Sequence, residues 1–192
     1  MRVKSAGSAV DNRDMLLPVC LLAVFASVPV LGGRLGALGA MQLRCGWLLG
    51  AALGVQLLVI TVLPGGAPAL HRVLHLGSYA LAGVFVAANR RLRGLLLIGL
   101  GGLANLVAIA ANGGVMPMSA AAGRTAGMTE ESGFANSAVL EHPVLAPLGD
   151  VFAVPGAVFS PGDVAILLGA AVLVHTACGS RLRRRARAAS VS

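Results

Sequence analysis

Near its C-terminal end the chain reads Leu148-Gly149-Asp150, then an apolar run, then Ser160-Pro161-Gly162-Asp163. Asp150 and Asp163 are the only charges between Leu148 and Gly169. Two carboxyls within hydrogen-bond reach cannot both ionise, so one keeps a proton. One can then act as base toward a water and the other as acid, the chemistry of an aspartyl hydrolase. The same residues also fit a structural role. Ser160 can cap a helix, Pro161 can take its first turn, and Asp163 stands at the capping-box position, where an acid favours the positive helix end. Asp150 after Gly149 can fix a turn. The intervening segment holds Pro155 and Gly156 and can fold back, and the spacing leaves both readings open.

Other polar side chains lie in apolar surroundings. Gln56, Asn105, Asn112 and His75 are candidates either for interhelical hydrogen bonds or for the lining of a ligand site. Asn112, followed by Gly113-Gly114, also fits the end of a helix. His71 and His75 share a helix face, but a metal would need a third ligand from His142, Asp150 or Asp163, and no metal or other cofactor is expected. His175 reads as a lone structural residue. Cys20, Cys45 and Cys178 match no zinc spacing and suggest no disulfide framework.

The elements that hold these residues follow from composition. The chain has 192 residues, 57% hydrophobic and 11% charged, with mean hydropathy +0.85. Soluble domains carry about 25% charged residues. Apolar segments run over residues 15–31, 46–63, 70–88, 95–111 and 161–178. Each approaches the length of roughly 17–25 residues that spans a bilayer core, and in lipid each must be a helix, because no water satisfies open backbone groups. The first carries Pro18 and Pro29 with no clean cleavage site after it, so it reads as a span rather than a signal peptide. The expected fold is an all-α integral membrane protein, a bundle of about five transmembrane helices with one long outer loop.

Charge placement gives the orientation. Arg34, Arg44, Arg90, Arg91, Arg93 and the arginines from Arg181 onward share one side, which carries the heavier basic load and is therefore read as cytoplasmic. All seven acidic residues fall on the other side. The expected arrangement puts the N-terminus outside and the C-terminus inside a bacterial inner membrane. Residues 1–14 read as a polar, disordered extension that translation from Met15 would remove. Residues 15–178 form the single membrane domain, with an outer loop at 112–160 expected to lay one or two short helices on the membrane surface. Residues 179–192 form a basic tail suited to anionic lipid head groups. Nucleic acid is not an expected partner, since the basic stretch lacks interleaved aromatics. Gly46, Gly50 and Gly54 form a stripe that predicts close packing of another helix within the chain.

Arg34 after Leu31-Gly32-Gly33, the run His75-Leu-Gly-Ser-Tyr-Ala-Leu81, Asn112-Gly-Gly-Val-Met-Pro117 and the two aspartate motifs resemble an uncharacterised bacterial family of multi-pass membrane proteins, domain of unknown function 5317. The resemblance runs over nearly the whole chain from Met15 and implies a shared fold without an activity. Gly101-Gly-Leu-Ala-Asn105, followed by Gly149-Asp150 and by Asp163 opening the last helix, looks more distantly like prokaryotic lipoprotein signal peptidase. That resemblance implies Asp150 and Asp163 as a catalytic pair and Asn105 as a polar residue inside a helix. The sequence departs from the peptidase pattern: Ser160-Pro161-Gly162 precedes Asp163, and Ala108-Ile109 stand where that family carries Asp-Arg. Three functions remain open: an outer-leaflet pocket for a lipid or lipid-linked ligand, an aspartyl membrane hydrolase, and a non-catalytic scaffold or partner subunit.

Overall fold

Long apolar runs interrupted by glycine, proline and arginine clusters divide this chain into helices. A computed structural model describes residues 16–61, 68–127 and 137–181, apart from the side chains of 16–18, 56–61, 68–72, 75 and 76. The long helices are α1 (Leu16–Val30), α2 (Gly46–Thr61), α3 (Pro68–Ala88), α4 (Leu95–Ala111) and α6 (Pro161–Ala177). Residues 1–14 and most of the basic tail lie outside the described residues.

The ends of these helices have local causes. Gly94, at φ +89°, turns the chain from α3 into α4. After α4, Asn112 is the C-cap, and Gly113 and Gly114 take positive φ. Gly114 N–H then donates to the Ile109 carbonyl, the back-bond that satisfies an orphan helix-end acceptor. Asn89 closes the opposite end of the bundle. Its amide accepts from Arg44 N–H at 2.8 Å and donates to the Arg44 carbonyl at 2.8 Å and to Phe85 O at 2.9 Å. The buried Asn89 therefore ties the connection before α2 to the turn after α3.

The segment between α4 and α6 departs from the all-α expectation. Its described residues hold a short helix α5 (Ala120–Thr125) and four short strands: β1 (Met116–Pro117), β2 (Ser137–Ala138), β3 (Phe152–Val154) and β4 (Ala157–Phe159). β1 pairs with β2 in parallel, and Met118 bridges Asp150 on its other side. β3 and β4 form an antiparallel hairpin, with Phe152 and Phe159 stacked at 5.5 Å between ring centroids. Strands form here because an irregular loop laid against a helix bundle still needs partners for its buried amides, and neighbouring loop segments supply them.

α4 packs most extensively on α6, α2 on α3, and α1 on α6. The α4–α6 contact is backbone-close. A β-carbon on Gly101 would collide with the Gly162 carbonyl, and one on Gly169 would stand 2.7 Å from Gly94 O. The stripe at Gly46, Gly50 and Gly54 is not used in this way. Among the described residues nothing lies within 4 Å of a β-carbon on Gly50 or Gly54, and Gly46 meets only Leu43, at 3.8 Å. The expected packing face is thus corrected: the small residues that bring helices together lie on α4 and α6.

No described helix is long and apolar enough to cross a membrane. With 15 residues, α1 rises about 22 Å, and with 17 residues, α4 rises about 26 Å, against a hydrocarbon core of about 30 Å. α3 has 21 residues but carries His71, Arg72 and His75 near its start.

Gly101→Leu is expected to force α4 off α6 and to cost about 1–3 kcal/mol or more, whereas Gly50→Ala leaves stability near wild type. Thermal unfolding of both purified variants checks this, and an unchanged midpoint for Gly101→Leu would refute the close crossing.

Candidate functional site

The α4–α6 crossing carries the first polar cluster. Asn105 projects from α4, and its amide donates to Asp163 Oδ1 at 2.8 Å. Asp163 Oδ2 accepts from Ser160 N–H at 2.9 Å, while Asp163 N–H donates to Ser160 Oγ at 3.0 Å, a complete capping box at the start of α6. The Ser160 hydroxyl has a single proton and two acceptors in reach, Asn105 Oδ1 at 2.8 Å and Asp163 Oδ2 at 2.9 Å. Ser160 is fully buried. The arrangement joins a helix cap to an interhelical hydrogen bond.

Asp150 reaches the same end of the bundle by a different route. Gly149 presses so close to the Pro117 carbonyl that a β-carbon would collide with it. That approach lets Asp150 N–H donate to Pro117 O at 2.8 Å, while Asp150 O accepts from Ser119 N–H at 3.0 Å. The Asp150 side chain is buried and accepts from the Ser137 hydroxyl at 2.6 Å. The β3–β4 hairpin turns at Pro155-Gly156, with Gly156 at φ +83°, and returns the chain so that Ser160 follows directly on the partner strand of Phe152. Asp150 and the start of α6 are thereby brought within electrostatic range. Burial pushes the Asp150 carboxyl above its ordinary value of 3.8, the Ser137 hydroxyl opposes the rise, and the charge of Asp163 adds to it.

Asn112 latches the loop to α4. Its amide donates to Val144 O at 2.7 Å and accepts from Val144 N–H at 2.8 Å. It therefore does more than end a helix, and it takes no part in the aspartate cluster. The side chains of Gln56, His71 and His75 lie outside the described residues. His142 is exposed, and among the described residues no group of three or more His, Cys, Asp or Glu is placed to hold a metal. His175 is not alone. Its ring is buried between Ser27, 3.1 Å from Nε2, and Ser180, 3.0 Å from Nδ1. Ser27 Oγ also reaches Val24 O at 2.7 Å, and its contact with the His175 ring ties α6 to α1.

A sizeable cleft in the described residues is apolar. α3 and α4 are consecutive yet touch far less than α4 and α6 do, and the cleft between them encloses about 650 Å³. Its walls run from Met41 and Leu92 at the arginine-bearing end to Leu103, Leu106 and Ile166. Ile166 lies one turn into α6 from Asp163. Tyr79 also lines the cleft and stands within electrostatic reach of Asp163. A volume of this size lies within the range of small-molecule sites. Neither the cleft nor Ser137 carries a sequence signal, because both depend on which helices and loop segments become neighbours.

Replacing Asp163 by Ala leaves the Asn105 amide and the Ser160 N–H without their acceptor, and a loss of about 1–3 kcal/mol is expected. The Asn105→Ala loss should overlap with it, so a double-mutant cycle on unfolding should show clear non-additivity. Additive losses would mean that the interhelical bond is not formed.

Asp150 predicts a pH effect of definite sign. A carboxyl whose folded value is raised binds its proton more tightly folded than unfolded. Its contribution is therefore fully present below 3.8 and is lost as pH rises through the raised value. Asp150→Asn keeps an acceptor for Ser137 and removes the titration. Relative to that variant, wild-type stability should fall as pH rises above 3.8 and through the raised value. Parallel pH–stability curves for the two proteins would contradict the buried, raised carboxyl.

No curated protein and no solved structure matches the chain. Residues 40–175 do match the model of a family of unknown function, DUF5317. The match extends from the connection before α2 through nearly all of α6, so it covers α4, the loop strands and both aspartates. On that evidence the chain belongs to the DUF5317 family.

Proposed function

We propose that this chain is a multi-pass protein of the bacterial cell membrane that holds the acyl part of a lipid in the cleft between α3 and α4. The cleft is the observation that carries the reading: about 650 Å³ of apolar space in a helix bundle, with Tyr79 on its wall and Asp163 near one end. An apolar wall offers a hydrocarbon chain contact without specific hydrogen bonds, and the few polar groups at the ends fix its direction.

The membrane setting is supported by the outer surface. Leu22, Val30, Trp47, Leu53 and Leu168, none of which lines the cleft, are exposed on the long helices. Apolar side chains on both the packed and the open faces of a helix are characteristic of lipid exposure. The basic load is uneven: Arg34, Arg44, Arg90, Arg91 and Arg93 stand at the end where α1 and α3 finish and α2 and α4 begin, while Arg124 on α5 shares the loop end with Asp150 and Asp163. That imbalance fits arginines held on the cytoplasmic side. The short helices fit a bilayer thinned around the protein, which accommodates a mismatch of a few ångströms at modest cost.

A second reading, an aspartyl membrane hydrolase, is favoured by the approach of Asp150 to Asp163 and by the raised Asp150 carboxyl. Against it, both Asp163 oxygens are already engaged by Asn105 and Ser160. A membrane-anchored lipopeptide separates the two readings. Cleavage lost in both Asp150→Asn and Asp163→Asn would establish the dyad, and lipid binding without cleavage would leave the cleft alone.

Gly102 lines the cleft and has nothing within 4 Å of a β-carbon. Gly102→Phe is therefore expected to fill the cleft without breaking the helix packing. Native mass spectrometry after gentle detergent extraction should find bound phospholipid on the wild type and about tenfold less on the variant. Equal retention, or a lipid-free wild type, would refute the proposal.

A further inference from the structure

The arginine end of the cleft opens beside a second cavity of about 240 Å³, lined by Arg91 and Arg93 from the α3–α4 turn and by Thr176 and Ala177 from the end of α6. Met41, Leu92 and Leu173 line both spaces. An apolar cleft and a basic pocket therefore meet at the same three side chains. Both guanidiniums are exposed, and among the described residues no carboxylate pairs with either, for Glu141, Asp150 and Asp163 all lie on the loop side of the bundle. The Thr176 hydroxyl is already committed, donating to Val172 O at 2.7 Å or to Leu173 O at 3.0 Å. The positive charge of the pocket thus comes from arginine alone, whose planar fork matches the oxygens of a phosphate.

Resting on the cleft reading above, we infer that the occupant is an anionic phospholipid of the arginine-side leaflet, its phosphate between Arg91 and Arg93 and one acyl chain running past Leu92 into the cleft. Charge complementarity selects the head group, and the shared walls select an amphiphile over a small soluble anion. A soluble phosphate would leave the adjoining apolar space unfilled. Juxtamembrane arginines also attract anionic head groups in general. The distinction here is position, because Arg90 belongs to the same turn and lines neither cavity.

The test uses the full chain in nanodiscs containing equal amounts of phosphatidylglycerol and phosphatidylcholine, with native mass spectrometry counting the lipids retained on release. The wild type should retain phosphatidylglycerol over phosphatidylcholine by about tenfold. Arg91→Gln/Arg93→Gln should keep one bound lipid and lose that preference, and Arg90→Gln should keep both. An excess of glycerol 3-phosphate should not displace the lipid. If the wild type retains either lipid equally, the head-group assignment fails while the cleft reading stands. If it retains neither, the cleft reading fails with it. If glycerol 3-phosphate displaces the lipid, the site belongs to a soluble phosphate and the lipid assignment is overturned. A double variant that keeps the preference but unfolds more readily would show the arginines to be partners of the α6 carbonyl end, which also overturns it.

Discussion

The close crossing of α4 and α6 is the constraint on which the rest depends. Glycine at 101, 162 and 169 lets the two backbones approach until no β-carbon fits between them. In a chain this apolar, burial of hydrocarbon discriminates poorly among helix partners, and close van der Waals packing with a few hydrogen bonds decides. The crossing places Asn105 against Asp163, so that one carboxylate both caps α6 and bonds α4. The loop strands then bring Asp150 to the same end, where burial and the neighbouring charge raise its carboxyl above the ordinary value.

The same tight pairing leaves a cleft elsewhere. α4 is committed to α6, and α3 to α2, so α3 and α4 meet over a short stretch near their turn, where Phe85 packs with Leu95 and Val86 lies against Gly99. The turn between them is short and basic, and Asn89 pins it to the backbone at Arg44. A basic turn held rigidly at the mouth of an apolar cleft has the two features that an amphiphile needs: a fixed charge and an adjoining dry wall. The aspartate end supplies a second polar boundary near Tyr79.

Much of the helical frame could be read from the sequence, because long apolar runs bounded by glycine, arginine and proline leave few alternatives. The capping box was legible in Ser160-Pro161-Gly162-Asp163, a local pattern. What was not legible depends on neighbours distant in sequence. Ser137 reaches Asp150 only because both flank residues 116–118, one across a two-residue strand pairing and the other across a single bridge. Asn89 reads as the first residue of a turn, and nothing near it points to Arg44. The glycine stripe of α2 misleads because spacing marks a smooth helix face without saying what covers it. His175 reads as solitary since its partners are serines, which carry no signal of their own.

The central claim, that the space between α3 and α4 holds a lipid chain, is tested most directly by photocrosslinking in membranes with a phospholipid carrying a diazirine in its acyl chain, followed by peptide mapping. The account predicts adducts concentrated on cleft-lining residues of α3 and α4, such as Val86, Gly99 and Leu103, well above those on the outward-facing Trp47 and Leu53 of α2. Adducts spread evenly over all exposed apolar faces, or absent from the cleft, would contradict it.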